Sequence, residues 1–123
     1  MLDPLVPVGW CAIAAGFLTG AILGLGFHRS DWLGGYGSWP RRLLRLGHVS
    51  MPALGLIAIA AGFTLAGRQD GLATVARVGL GVGLVAMPVT CFLSAWRPAF
   101  RHLFPVPVLA LVIGVTAVAA LSL

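Results

Sequence analysis

PLVPVGWCAIAAGFLTGAILGLGF, residues 4–27, runs without a single charged side chain. An α-helix rises about 1.5 Å per residue, so a segment of this length crosses the ~30 Å of hydrocarbon in a bilayer. Three further stretches share the pattern, at residues 43–66, 72–95 and 103–123. The spacing predicts an all-α, polytopic membrane protein: a four-transmembrane-helix bundle with short loops, one domain over residues 1–123 and no soluble domain. The chain's composition agrees. Hydrophobic residues make up 59% of the 123 positions and charged residues 9%, against about 25% charged in a soluble domain. A water-facing surface cannot be built from that, which sets aside a soluble enzyme and a disordered tail.

The first apolar run has Asp3 before it and no arginine ahead of Arg29. A secretory leader wants a basic start and a shorter apolar core, so the run is read as a retained helix.

The connections carry the charge. All eight basic residues are arginine, the three acids are Asp3, Asp31 and Asp70, and the formal net charge is +5. Loop one, HRSDWLGGYGSWPRR (28–42), and loop three, WRPAFRH (96–102), fall on one side of the membrane. With their flanks they hold Arg29, Arg41, Arg42, Arg45, Arg97 and Arg101. The opposite side has Arg68 and Arg77. Arginine in short loops marks the cytoplasmic face. The sequence therefore predicts an integral protein of a bacterial inner membrane, with loops one and three cytoplasmic and both termini outside. The arginines sit at the ends of apolar runs and not on a solvated basic face, so nucleic acid is not an expected partner. Arg41, Arg42, Arg45, Arg97 and Arg101 form an expected basic collar for anionic lipid headgroups. Trp32, Tyr36, Trp39 and Trp96 fall at the same level, where aromatic rings anchor helix ends.

Helix association in lipid depends on close backbone approach at small residues. Ala12, Gly16, Gly20 and Gly24 recur at steps of four in the first span, and Gly79 and Gly83 in the third. These are the expected packing positions, with Ala58 and Gly62, and Ala110 and Gly114, as weaker counterparts. Pro52 and Pro88 interrupt the second and third spans. Arg-x-Gly opens both spans, at Arg45–Gly47 and Arg77–Gly79, but two short matches in a chain with 17 glycines do not make an inverted repeat.

Few residues could carry chemistry. His28, His48 and His102 fall at one level, and Cys91 lies about one turn from the same end of the third span. Paired histidines between helices can ligate a b-type haem, and imidazole with thiolate suits zinc or copper. A quinone carbonyl could equally meet one imidazole. His48, within an apolar span, is the leading candidate cofactor ligand, with His28 or His102 as its partner. Cys11 and Cys91 lack a CxxC neighbour and read as small hydrophobes. No acid lies at mid-span, where proton or cation transport places one. Small proton-coupled four-helix exporters are of this length but use a membrane-embedded Glu, and this chain has no Glu. No nucleophile triad, carboxylate pair or phosphate loop is visible, so no catalytic residue is assigned and the chain is not read as an enzyme. The expectation is a small accessory subunit of a larger membrane complex, of the respiratory or photosynthetic kind, whose partners are other membrane subunits and anionic lipids. The alternative is a haem- or quinone-binding electron-transfer subunit, and the third a small transporter or channel.

Overall fold

The structure, a computed structural model, describes all 123 residues. Four helices follow one another: α1 (Leu5–Phe27), α2 (Trp39–Thr64), α3 (Gly71–Trp96) and α4 (Pro105–Ser122). Short 3-10 segments, Trp32–Gly34 and Pro98–Leu103, lie between α1 and α2 and between α3 and α4. There are no strands. Each span is long and apolar enough to cross a membrane, α4 with its preceding 3-10 segment included.

The ends of the helices follow local chemistry. α2 begins at Trp39, four residues ahead of the predicted start, because the Ser38 hydroxyl accepts the Arg41 N–H at 3.4 Å and Pro40 occupies the first turn. Proline is favoured there because its missing N–H would have no partner in any case. The sequence reading had assigned these residues to the loop for their Pro and Arg content. α2 stops at Thr64, and Gly67 turns the chain with φ +77°. Asp70 then caps α3, accepting the Ala73 N–H at 2.9 Å. Asp3 accepts the Leu5 N–H at 3.0 Å and so satisfies a free donor at the start of α1. α4 starts at Pro105 and not at 103, since residues 98–103 wind as a 3-10 turn.

The helices run antiparallel in sequence order. α1 lies on α2, α2 on α3 and α3 on α4, while α1 and α4 barely meet. The bundle is thus an open row with α1 and α4 at its edges. Within the chain, α3 buries the largest share of its span and α1 the smallest.

The apolar core lies toward the terminal end, made by Leu5, Ala58, Ala61, Leu65, Ala73, Ala76, Leu80, Leu84 and Ala117. Small residues dominate it, as expected where backbones approach closely. Toward the loop end, the buried positions are Arg41, Leu43, Gly47, Pro88, Thr90, Cys91, Ser94 and Pro107. The outward faces carry large apolar side chains, among them Phe17, Ile22, Leu25 and Phe63.

Gly9 and Gly55 bring α1 and α2 together. A Cβ on Gly9 would lie 2.5 Å from Gly55 O, and one on Gly55 2.6 Å from Gly9 O. Gly16 faces Met51 and Pro52, Gly20 faces His48, and Gly62 faces Leu5 and Val6. Across α3 and α4, Gly79 meets Gly114 and Ala110, and Gly83 meets Leu111. Ala12 packs partly buried against the core. Gly24, the last of the row, makes no such contact within the chain: nothing lies within 4 Å of the Cβ it lacks. Steps of four drift about 40° each around a helix, so the fourth member of the row has rotated well away from the face of the first. The two Arg-x-Gly glycines are not equivalent either. Gly47 faces Cys91 and Phe92 on α3, whereas Gly79 faces α4.

Candidate functional site

The polar side chains gather at the two ends of the row, and one arginine organises each end. At the loop end, α1 finishes at Phe27 with its last carbonyls free of helical partners. The Arg41 guanidinium, from the first turn of α2, reaches over them. Its Nη2–H donates to Phe27 O at 3.0 Å, and Nη1 donates to Arg29 O at 3.1 Å and to Ser30 O and Trp32 O at 3.4 Å. The Phe27 ring lies 4.6 Å from Cζ, and Phe27 meets Trp32 edge-on. The planar fork of arginine suits several converging carbonyls as a lysine ammonium would not.

Arg41 is only 2% exposed, and its Nε has no partner. It therefore does not belong to the headgroup collar where the sequence placed it. The loop it holds makes its tightest turn at Leu33, Gly34 and Gly35, all at positive φ. Gly35, at φ 98° and ψ 171°, occupies backbone space open only to glycine.

Arg77 does the corresponding work at the terminal end. Its Nε donates to Asp3 Oδ2 at 2.7 Å, and its Nη2 to Leu65 O at 3.1 Å and Arg68 O at 2.8 Å. The Asp3 carboxylate, 1% exposed, divides its oxygens between Arg77 and the start of α1. Arg68 Nη2 also donates to Leu121 O at 3.1 Å, which draws the end of α4 to the α2–α3 turn. Both termini thus share one end with that turn. Sequence reading missed the Asp3–Arg77 pair. The available signal was an arginine inside an apolar run, where an ionisable group needs a named partner.

Charge is divided as sharply as structure. The terminal end holds Arg68 and Arg77 with Asp3 and Asp70, and so is neutral. The loop end holds the other six arginines with Asp31, and carries the whole net charge of +5. Arg42, Arg97 and Arg101 are exposed there. Arg45 is half-buried, its Cζ 4.1 Å from the Tyr36 ring centre and its Nη1 donating to Tyr36 O at 3.0 Å. The indole N–H of Trp39 donates to Ser94 O at 2.9 Å and ties α2 to the end of α3. Trp96 stacks on Phe100.

The histidines share the loop half of the row but neither a level nor a site: His48 packs at Gly20, about 12 Å along α1 from His28. His28 caps the end of α1 and is exposed, and His102 is exposed on the second 3-10 segment. Cys91 is buried against Gly47, between α2 and α3, and Cys11 lies exposed on α1. No three His, Cys, Asp or Glu side chains converge as a metal site would require. His48 alone reaches inward, filling the notch at Gly20, with its Nδ1 buried and unpartnered. Beside it is a space of about 160 Å³ lined by Gly20, Leu23, Gly24, Phe27, Arg45 and His48. Sites for cofactors of ordinary size occupy ~300–1,000 Å³, and no second histidine lines this one. These residues do not fit a haem within the chain. For a quinone ring they offer one imidazole and one guanidinium.

No protein-family model, curated protein or solved structure was found to match the chain.

Proposed function

We propose that this chain is a small accessory subunit of a larger membrane-embedded complex, working through helix contacts within the bilayer and not through a reaction of its own. The observation that carries this reading is the open row. The most hydrophobic windows of α1 and α4 are only 11% and 17% buried inside the chain, and the two helices do not close on each other. Two continuous apolar edges are left for neighbours, and van der Waals packing of such faces is what associates helices in lipid. The polar groups support the same reading, because most of those buried at the ends are spent on holding loops and termini. In this proposal the arginine-rich end is cytoplasmic and both termini lie outside. Extraction of the native particle in mild detergent through a tag on this chain tests it. Stoichiometric membrane partners are expected. A chain that emerges alone, or only as a small homo-oligomer, refutes it.

The buried, unpartnered Nδ1 of His48 favours a second reading, an electron-transfer subunit in which His48 meets a quinone carbonyl. Quinone content of the purified particle before and after His48→Leu tests this directly. Retention of the same content by the variant would remove it.

A further inference from the structure

The first three turns of α2 carry a groove distinct from the space beside His48, although Arg45 borders both. It encloses about 500 Å³ and is lined by Trp39, Arg42, Leu43, Arg45, Leu46 and Val49. Its chemistry is graded along the helix. Trp39, Arg42 and Arg45 supply its polar groups, Leu43 lies among them, and Leu46 and Val49 carry the apolar floor deeper along the helix. From Trp39 to Val49 the helix rises about 15 Å, roughly half the hydrocarbon thickness, so a groove that starts at headgroup level runs through most of one leaflet.

The mouth is partly preorganised. The Trp39 indole is held by Ser94 O at 2.9 Å, and the Arg45 guanidinium by the ring and carbonyl of Tyr36. Arg45 keeps two of its nitrogens uncommitted. The Arg42 side chain is exposed and has neither a hydrogen bond nor an ion pair within the chain, whose only ion pairs are Arg68–Asp70 and Arg77–Asp3. Two guanidinium groups one turn apart, with no acid beside them, match a phosphate, which arginine takes by paired N–H donors. The start of a helix adds its own partial positive charge. A free phosphate would leave the apolar floor unused, whereas an acyl chain fills it.

We propose that Trp39, Arg42, Leu43, Arg45, Leu46 and Val49 form a binding site for one anionic phospholipid. Arg42 and Arg45 hold the phosphate, Trp39 packs at the glycerol level, and an acyl chain lies along Leu43, Leu46 and Val49. Arg97, between α3 and the second 3-10 segment, and Arg101, on that segment, are equally cationic but lie outside this groove, so they attract anionic lipid without retaining it. The site stands whether or not the chain has protein partners.

The test is native mass spectrometry of the full chain, delipidated in mild detergent and offered equal amounts of phosphatidylglycerol and phosphatidylcholine. One phosphatidylglycerol is expected to stay bound. The double variant Arg42→Gln/Arg45→Gln should lower its retention about tenfold or more, since each interfacial arginine accounts for several-fold in affinity. Arg97→Gln/Arg101→Gln should leave retention within about twofold. Because Arg45 also steadies Tyr36, Leu46→Trp serves as the second variant. It blocks the floor, leaves every charge in place, and should also displace the lipid. Inorganic phosphate at millimolar concentration should not compete. The proposal is overturned by equal retention of the two lipids, by equal loss in the two arginine pairs, by unchanged binding in Leu46→Trp, or by competition from free phosphate. A photo-crosslinker placed at position 46 that captures a protein helix in the native membrane, and no lipid, would overturn it as well.

Discussion

Replacing Arg41 by methionine keeps the length and the apolar stem of the side chain and deletes the guanidinium. In the native chain that group answers four carbonyls, two at 3.0–3.1 Å and two at 3.4 Å. Counting only the two shorter bonds, at about 1.5–3 kcal/mol each for a charged donor, gives ~3–6 kcal/mol. The unpartnered Nε costs about 1–3 kcal/mol, which methionine does not incur, so the net loss expected is ~2–3 kcal/mol. No discount for solvent applies, because Arg41 is 2% exposed. Arg41→Lys should fall between, since one ammonium cannot span carbonyls from Phe27 to Trp32. Unfolding in a graded series of SDS in mixed micelles, followed by tryptophan fluorescence, reads the difference. Trp32 should report it early, because Trp32 packs on Phe27 beneath the same guanidinium. Trypsin cleavage after Arg29 should accelerate as loop one loosens. The exposed neighbour supplies the control: Arg42→Met should stay within about 0.5 kcal/mol. If Arg41→Met also stays within that range and loop one resists trypsin as before, the carbonyl cluster is not what holds this end together.

Three further outcomes follow from the same geometry and are read by the same unfolding series. Gly55→Ala puts a methyl group against the Gly9 backbone and should cost about 1–3 kcal/mol through forced separation of α1 and α2. Gly24→Ala and Gly81→Ala, where nothing lies within 4 Å, should be neutral or up to ~1 kcal/mol more stable, and a large loss at Gly24 would restore it to the helix interface. Arg77→Met strands the Asp3 carboxylate at 1% exposure and should cost about 3–5 kcal/mol, with Asp3→Asn/Arg77→Met recovering more than ~1 kcal/mol of it. A double variant no better than the single would argue that Arg77 acts through Leu65 O and Arg68 O alone. His48→Leu removes a buried unpartnered nitrogen and should leave stability unchanged or raise it by about 1–2 kcal/mol; a clear loss would show that the imidazole holds a polar ligand.

The spans were legible because a bilayer asks for one thing, a long and predominantly apolar run, and all four supply it even though Arg45 and Arg77 lie within the second and third. Counting residues at a fixed rise also puts His28, His48, His102 and Cys91 in the loop half of the row, but His48 lies deeper than the expected single turn because α2 begins at Trp39. What counting cannot supply is the direction in which a side chain points around its helix. His48 faces α1 through the notch at Gly20, Cys91 faces α2 at Gly47, and the other two histidines stand on turns, so an expected cluster of four is dispersed. The glycine row leaves Gly24 without a contact within the chain on the same angular ground, and the Gly9–Gly55 contact, which brings two backbones together, needed the partner helix to be known. Arg41 was misplaced because the Ser38 cap moved the start of α2 back by four residues and turned a loop arginine into a helical one. Asp3 and Arg77 are 74 positions apart, and nothing local joins them.

The dispersed polar groups hold the ends of the row in place, which bears on the proposal that its edges dock on neighbouring helices. α1 has only α2 beside it, yet it cannot swing freely. Its start is tied through Asp3 and Arg77 to the end of α2 and the body of α3, and its finish is held by Arg41. α4 is anchored at its end through Leu121 O to Arg68 and along its length by the Gly79–Gly114 contact. An apolar edge that is fixed before it meets a partner loses less conformational entropy on docking than one that must first be ordered. In lipid, where no hydrophobic gain drives association, that saving is a large part of what decides whether helices stay together. Charged groups at the ends of the spans can thus govern a docking face in the middle of the membrane that none of them touches. If the chain is the accessory subunit proposed above, Arg77→Met should lower the yield of co-purified partner at the α1 edge even with every residue on that edge unchanged, and an unchanged yield would refute the link.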